Sequence, residues 1–394
     1  MVDIVLGPAI RTPLGVFGGA LRGVKMTDLA AHAVRACLAH AALPAGAVDH
    51  IVFATTVPSD SDSLFAPRVV GVKAGLPEEA GALGVTRACA SGLQALLGAH
   101  QQAASGHSAI AIAAGAESYS RAPFAATGLR WGAARGPQTL DDMLDWAYRC
   151  PFGGEYMGET AETLAAEFSH GREAMDAWGA MSQARAVAAQ DSGFLGRQIA
   201  PLEAPDGRTT RLVARDEGPR RDATPAKLAT LKPAFRPGGL VTAGSSSLVN
   251  DGAAAMIVGE ASALAAHGVA ARARIVDWAV VGVPPRIMGH GPVPAIRALL
   301  ARTGLSVGDI DYFEINEAFA VVNLHAEREL GIPRDRHNLY GGGISIGHPP
   351  AVTGLRMAMT AIQHLSEVGG RRAVLSMCLG AGQGMAMLIE AVRP

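Results

Sequence analysis

Three residues stand in settings that suit reaction as well as packing. Cys89 lies in "RACASGLQAL", read as a strand-to-helix turn of small residues. At such a turn, free backbone N–H groups and the helix dipole favour a thiolate. Cys378 lies in "MCLGAGQG" and His348 in "GGGISIGHPP". Both runs are rich in glycine, which lets backbone approach a bound group closely. A thiol with an imidazole is the minimum for an activated sulfur nucleophile. Taken singly, each residue fits a core position equally well, because free cysteine is among the most buried side chains.

Other chemistries find little support. There is no GxxxxGK[ST], no HExxH and no GxSxG, the last of which leaves Ser91 without a hydrolase motif. "GAGQG" precedes the strand-like "MAMLIEAV" and not a helix, so it does not read as a dinucleotide turn. Cys37, Cys89, Cys150 and Cys378 show no CxxC spacing, so no metal site is expected. Such sparse cysteine usage fits a reducing compartment. The N-terminus "MVDIVLGPAIRTP" lacks a secretory pattern, and a cytoplasmic protein is expected.

The elements that must position these residues follow from periodicity. "MVDIVLG" and "HIVFATTV" read as strands, and "MTDLAAHAVRACLAHAAL" as a helix capped by Thr27 or Asp28. "GVTRACASGLQALLGAHQQAASGHSAIAIAAGAES" reads as strand, turn at Cys89, helix and buried strand. The end of the chain repeats that order around His348 and Cys378. This alternation predicts an α/β fold with largely parallel pairing. It also predicts two similar halves that bring Cys89 and His348 to equivalent places near helix N-termini, where ligands of such folds bind. Residues 119–249 are different in kind, mixing Pro, Gly, charge and aromatics, and read as a large insertion. Its charged stretch Arg208 to Lys232 reads mostly as a solvated loop. A net charge of −1 over 394 residues recommends neither nucleic acid nor an anionic membrane as partner. No apolar run is long enough to span a bilayer.

"RACASGLQA", "NEAFA" (Asn316 to Ala320), "GGGISIGHP" and "CLGAGQG", in that order, resemble the thiolases, coenzyme A-dependent acyltransferases. "RTPLGVFGGAL", "GAESYSRAP", "YMGETAE", "LKPAF" with "VTAGSSSLVNDGAAA", and "MGHGPVP" resemble further blocks of the family, so the resemblance covers essentially the whole chain. It implies a five-layered αβαβα fold. Residues 1–118, completed by part of 250–270, would form one half and residues 271–394 the other. Residues 119–249 would form a loop domain that binds coenzyme A and helps assembly. Cys89 would be the acylated nucleophile, His348 its activator, and Cys378 the acid/base of the second half-reaction. Asn316 would hold a water that joins His348 in stabilising an enolate oxygen, and the N–H groups of Cys89 and Gly380 would form a second oxyanion hole. Leu231, Phe235, Ala243, Ser247, Met157, Ala318 and Phe319 match positions around the pantetheine, with Tyr156 beside that tunnel and Arg220 facing the nucleotide phosphates.

Met288 matches a residue that restricts short-chain thiolases to small acyl groups. The expected reaction is therefore reversible condensation of two acetyl-CoA to acetoacetyl-CoA and coenzyme A, by ping-pong through acyl-Cys89. The alternative is a broader 3-ketoacyl-CoA thiolase acting in degradation. A carrier-protein-fed condensing enzyme, which typically pairs its cysteine with two histidines, and an inactive coenzyme A- or lipid-binding homologue are more distant readings. Coenzyme A is expected as substrate, with no tightly bound cofactor and a homodimer or homotetramer as the assembly. Tyr156, Leu248, Tyr340 and Ala351 depart from the family pattern and bear on the pocket.

Overall fold

The protein is described by a computed structural model covering residues 2–132 and 135–392. Residue 1, residues 133–134 of the insertion and residues 393–394 lie outside the described residues. The strand Ile4–Arg11 is buried along nearly its whole length, which suits the apolar run Ile4 to Ile10. The first helix runs Met26–His40 after Lys25. The expected caps Thr27 and Asp28 therefore fall inside its first turn, and neither caps it. Thr27 instead accepts a hydrogen bond from Lys73 (2.9 Å). The two helices that follow the candidate residues, Ser91–Ala104 and Pro350–Val368, form as the sequence predicts. Proline suits the first turn of the second, where no N–H is required.

Hydrogen-bonded strands follow one order: Tyr312–Ile315, Arg372–Leu379, Gln383–Ala391, Ala273–Gly282, Ile4–Arg11, Asn250–Glu260, Ile110–Ser118, His50–Ala54 and Gly81–Val85. The halves meet at Leu6 and Ala273. Pairing in this sheet is mostly antiparallel, which corrects the expectation of a largely parallel one. Only His50–Ala54 with its two neighbours, and Tyr312–Ile315 with Arg372–Leu379, run parallel. The reason lies in the connections. Arg372–Leu379 returns through a tight turn into Gln383–Ala391, and Asn250–Glu260 re-enters the sheet from the insertion beside Ile110–Ser118.

Five layers result. Helices Ser91–Ala104 and Pro350–Val368 pack on each other between the halves, over a core that includes Leu93, Leu96, Leu355 and Met377. Their approach is close enough that a Cβ on Gly92 would stand 2.8 Å from the carbonyl oxygen of Ala351. Met26–His40 and Ala66–Ala74 cover the outer face of the first half, and Pro292–Thr303 with Ala320–Leu330 cover that of the second. The insertion carries helices Met157–Glu167 and Arg172–Asp191 and the hairpin Leu202–Asp206/Thr209–Val213. Most of the charged side chains between Arg208 and Lys232 are exposed, as expected, with Asp216 an exception. Asp216 is buried and takes two bonds from Arg11 (2.7 and 2.8 Å), which pins the insertion to the first half. No helix among the described residues is long and apolar enough to cross a membrane.

Candidate active site

Cys89 sits one residue before the cap of helix Ser91–Ala104, half-buried at the wall of a cavity of about 280 Å³. Its turn is locked by Ser91, whose hydroxyl accepts from the Arg87 N–H (2.8 Å) and donates to the Ala88 carbonyl (2.7 Å). Ala88 is left in the left-handed region at φ 43°. Burial raises the Cys89 thiol above its ordinary pKa, while the N–H groups of Gly380 and of Cys89 itself pull it back down. Burial thus outweighs the helix terminus that was expected to hold a thiolate, and the resting sulfur is a thiol. The same two N–H groups converge on the sulfur, where the oxygen of a tetrahedral adduct would form.

His348 lines the same cavity and is itself buried. Its backbone N–H donates to Asn250 Oδ1 (3.1 Å). The Thr353 hydroxyl lies 2.7 Å from Nδ1 and also donates to the Pro349 carbonyl (2.9 Å). With its proton committed there, Thr353 must accept from Nδ1–H. Nε2 then keeps its lone pair, which accepts from Asn316 Nδ2 at 3.2 Å. Burial, aided by the charge of Arg356, lowers the His348 pKa to about 3, so the ring is neutral at neutral pH.

Asn316 and Cys378 lie behind the cavity lining. Asn316 Oδ1 is buried without a protein partner, an acceptor available to a bound water. The adjacent Glu317 carboxylate accepts from Trp178 (2.9 Å), from Ser182 (2.6 Å) and from the Ile344 N–H (3.2 Å). Those bonds tie the Asn316 loop to the insertion helix Arg172–Asp191. Cys378 is the penultimate residue of the strand Arg372–Leu379, buried beyond its first residue, and burial together with the neighbouring Cys89 pushes its thiol well up. A thiol so held is a proton donor.

Met157, Ser247, Met288, Ala318, Phe319 and Gly380 also line the cavity. Phe235 packs edge-on against Phe319 (5.9 Å), and Leu231 lies against Gly244, next to Ala243. Tyr156 is not among the lining residues. Its hydroxyl donates to Asp145 (2.6 Å) and its ring lies under Arg149 (4.0 Å). Arg220 borders a separate cleft beside Asp191 and Arg221. Glu162 accepts from the Leu240 and Val241 N–H groups (both 2.8 Å). Of the other departures, Tyr340 stacks on Phe194 (3.6 Å) and is bonded to His364, away from the cavity. Leu248 offers its carbonyl to the His348 N–H (3.3 Å), and Ala351 fills the helix-packing seam against Gly92 and Gly115. Sequence reasoning missed Thr56, Thr86, Tyr119, Ala147, Tyr148 and Thr353. Only Thr353 carried a signal, lying one turn into the helix that follows His348.

Family models described as "Thiolase, N-terminal domain" and "Thiolase, C-terminal domain" match residues 4–262 and 269–391. The chain belongs to the thiolase family. It is an acyltransferase. Among this thiolase's relatives, beta-ketoadipyl-CoA thiolase of Pseudomonas putida is 41% identical over 400 residues, covering 100% of both chains. The crystal structure of human mitochondrial 3-ketoacyl-CoA thiolase matches with a TM-score of 0.96 at 36% identity, covering 99% of both chains. That of Bacillus anthracis acetyl-CoA acetyltransferase gives 0.96 at 36%, covering 100% of this chain and 99% of that one.

Proposed function

We propose that this thiolase is a 3-ketoacyl-CoA thiolase of broad acyl specificity, in place of the acetoacetyl-CoA-forming enzyme expected from Met288. In the cleaving direction, Cys89 gives its proton to Nε2 of His348 as its sulfur attacks the 3-keto carbon. The C2–C3 bond then breaks, and its electron pair leaves as the enolate of acetyl-CoA. Asn316, through its water, and His348 stabilise the enolate oxygen, and Cys378 protonates C2. After acetyl-CoA departs, a second coenzyme A gives its thiol proton to the Cys378 thiolate and attacks the acyl-Cys89 carbonyl, and His348 returns its proton to Cys89 as that sulfur leaves. The oxyanion formed there is held by the N–H groups of Cys89 and Gly380, and collapse releases the shortened acyl-CoA. Each such donor is worth about 3 kcal/mol.

The observation that carries this reading is the pairing of a thiol faced by two backbone N–H groups with a neutral imidazole in one cavity. Two features support breadth: the names of the relatives, and a lining that continues past Met288 to Thr56, Tyr119 and Tyr148. A chain-length series of 3-ketoacyl-CoA thioesters is the test. Thiolysis of chains longer than acetoacetyl is expected, with a mass gain on Cys89. Turnover confined to acetoacetyl-CoA would restore the narrower reading, and no turnover with folded protein would remove both. Coenzyme A is proposed to enter past Met157, Ser247 and Phe319, with Leu231, Phe235 and Ala243 behind them and Arg220 toward the phosphates. We also propose a dimer or tetramer. Gly81–Val85 ends the sheet, and Leu64 and Phe65, just before the helix Ala66–Ala74 that packs on it, are 77% and 69% exposed. Light scattering on the purified chain tests it, and a monomer would sink it.

A further inference from the structure

Glu117 is fully buried at the end of strand Ile110–Ser118, and the catalytic steps above do not use it. Its Oε1 accepts from the Thr56 N–H (2.9 Å) and lies 2.7 Å from the Thr56 hydroxyl. That hydroxyl lies in turn 2.9 Å from the Tyr119 hydroxyl, and either atom of that pair can donate. Thr56 and Tyr119 both line the cavity, beside Tyr148. If coenzyme A enters past Met157 and Phe319, this wall meets the acyl chain.

The three groups can order their protons in two ways. With Glu117 ionised, Thr56 must donate to the carboxylate and Tyr119 to Thr56, so Tyr119 turns lone pairs toward the cavity. With Glu117 protonated, the carboxyl can donate to Thr56, Thr56 to Tyr119, and Tyr119 then directs its proton into the cavity. We propose that Glu117, Thr56 and Tyr119 form a reversible hydrogen-bond relay that sets whether the acyl wall offers the substrate an acceptor or a donor. The inference rests on the acyl-binding reading of this cavity.

The surroundings of Glu117 allow both states near neutrality. Burial raises its pKa to about 7, against the N–H groups of Thr56, Val57 and Ala351 and the Thr56 hydroxyl, which favour the anion. Thr55 lies 3.4 Å from Oε2. The titratable groups that face it are Tyr119, Tyr148 and, through them, Cys89, all shifted upward in pKa and so uncharged. Asp251 on the adjacent strand is occupied by the Ser120 N–H (2.9 Å).

The relay predicts a pH-dependent preference between two 3-ketoacyl-CoA thioesters of equal length, one ending in a methyl group and one in a carboxylate. Taking the ratio of their kcat/KM cancels the titration of Cys89, His348 and coenzyme A, which both share. In the native enzyme the ratio of carboxylate-ended to methyl-ended substrate is expected to fall about tenfold from about pH 6 to about pH 8.5, as one hydrogen bond to a charged group is lost. Glu117→Gln and Tyr119→Phe should each flatten it. A ratio independent of pH in the native enzyme, or an unchanged slope in either variant, overturns the relay. If neither thioester is cleaved, the proposed function fails separately. The relay is then read by infrared difference spectroscopy on the native chain. A protonated-carboxyl band is expected that disappears above neutral pH, is missing in Glu117→Gln and shifts its midpoint in Thr56→Val. Absence of that band, or a midpoint unmoved in Thr56→Val, would likewise overturn it.

Discussion

The seats of Cys89 and His348 are built on the same corner in opposite styles. Each lies just before a helix of the middle layer, and each follows a residue of positive φ, Ala88 at 43° and Gly347 at 128°. Backbone and the Ser91 hydroxyl hold Cys89, and its side chain stays half-open to the cavity. Side chains from three separate segments hold His348: Asn250, Asn316 and Thr353. The difference follows from the two tasks. A nucleophile must be reached by substrate, so it is fixed from behind. A base must stay neutral with its accepting nitrogen unprotonated, so in the proposed role the ring is buried and Thr353 holds the proton on the other nitrogen.

The largest effects should come from removing the reactive atoms themselves. Cys89→Ala is expected to show no mass gain from acetyl-CoA and to lose about 10⁴ or more in turnover. Cys378→Ala should still become acylated while condensation is lost, because in the proposed mechanism its thiol moves protons and forms no bond to the acyl carbon. Complete loss of acylation in both variants would contradict that division of labour. His348 adds a pH signature. Its folded pKa of about 3 lies below the ordinary value of 6.5, so the fold favours the neutral ring. That contribution to stability is complete above about pH 6.5 and declines as pH falls toward 3. His348→Gln should remove this share of the acid dependence in denaturant titrations. An unchanged acid dependence would mean the ring is not buried as described.

How much of this was legible depended on whether position in sequence and position in space coincide. The turn at Cys89 and the helix after His348 are local, so small residues and periodicity expose them. The strand "MAMLIEAV" was equally plain, but its antiparallel partner was not, because pairing depends on how the chain returns. The acyl wall was hidden for the same reason. Thr56 and Tyr119 follow the paired strands His50–Ala54 and Ile110–Ser118, and Tyr148 reaches them from the insertion, edge-on to Tyr119 (6.2 Å). Glu117 was hidden differently: carboxylates usually face water, and only its ring of N–H and hydroxyl donors makes burial tolerable. The resemblance puts Tyr156 beside the pantetheine; in the structure Asp145 and Arg149 hold its side chain, and it does not line the cavity.

A smaller effect separates orientation from chemistry on the His348 side. Thr353→Val removes the acceptor for Nδ1–H while keeping the shape of the side chain. The ring can then put its proton on Nε2, the wrong tautomer for taking a proton from Cys89. A loss of about 10- to 100-fold in kcat is expected, with KM little changed, and Thr353→Ser should restore most of it. An equal fall for Val and Ser, or a change confined to KM, would assign Thr353 to packing.

The smallest effect tests the two backbone seats directly. A non-glycine residue in the left-handed region costs about 1–2 kcal/mol, and glycine gives back about 0.5–1 kcal/mol of that through its freer unfolded chain. Ala88→Gly should therefore stabilise the protein by about 0.5–1 kcal/mol, at the expense of a looser Cys89 and a modestly lower kcat. The reverse change on the other side has no such compensation. A Cβ on Gly347 would drive into the Asn250 amide that holds His348, at a φ that side chains rarely adopt. Gly347→Ala should lose both stability and turnover. If Ala88→Gly destabilises and Gly347→Ala is tolerated, the strain belongs to neither seat and the contrast between them fails.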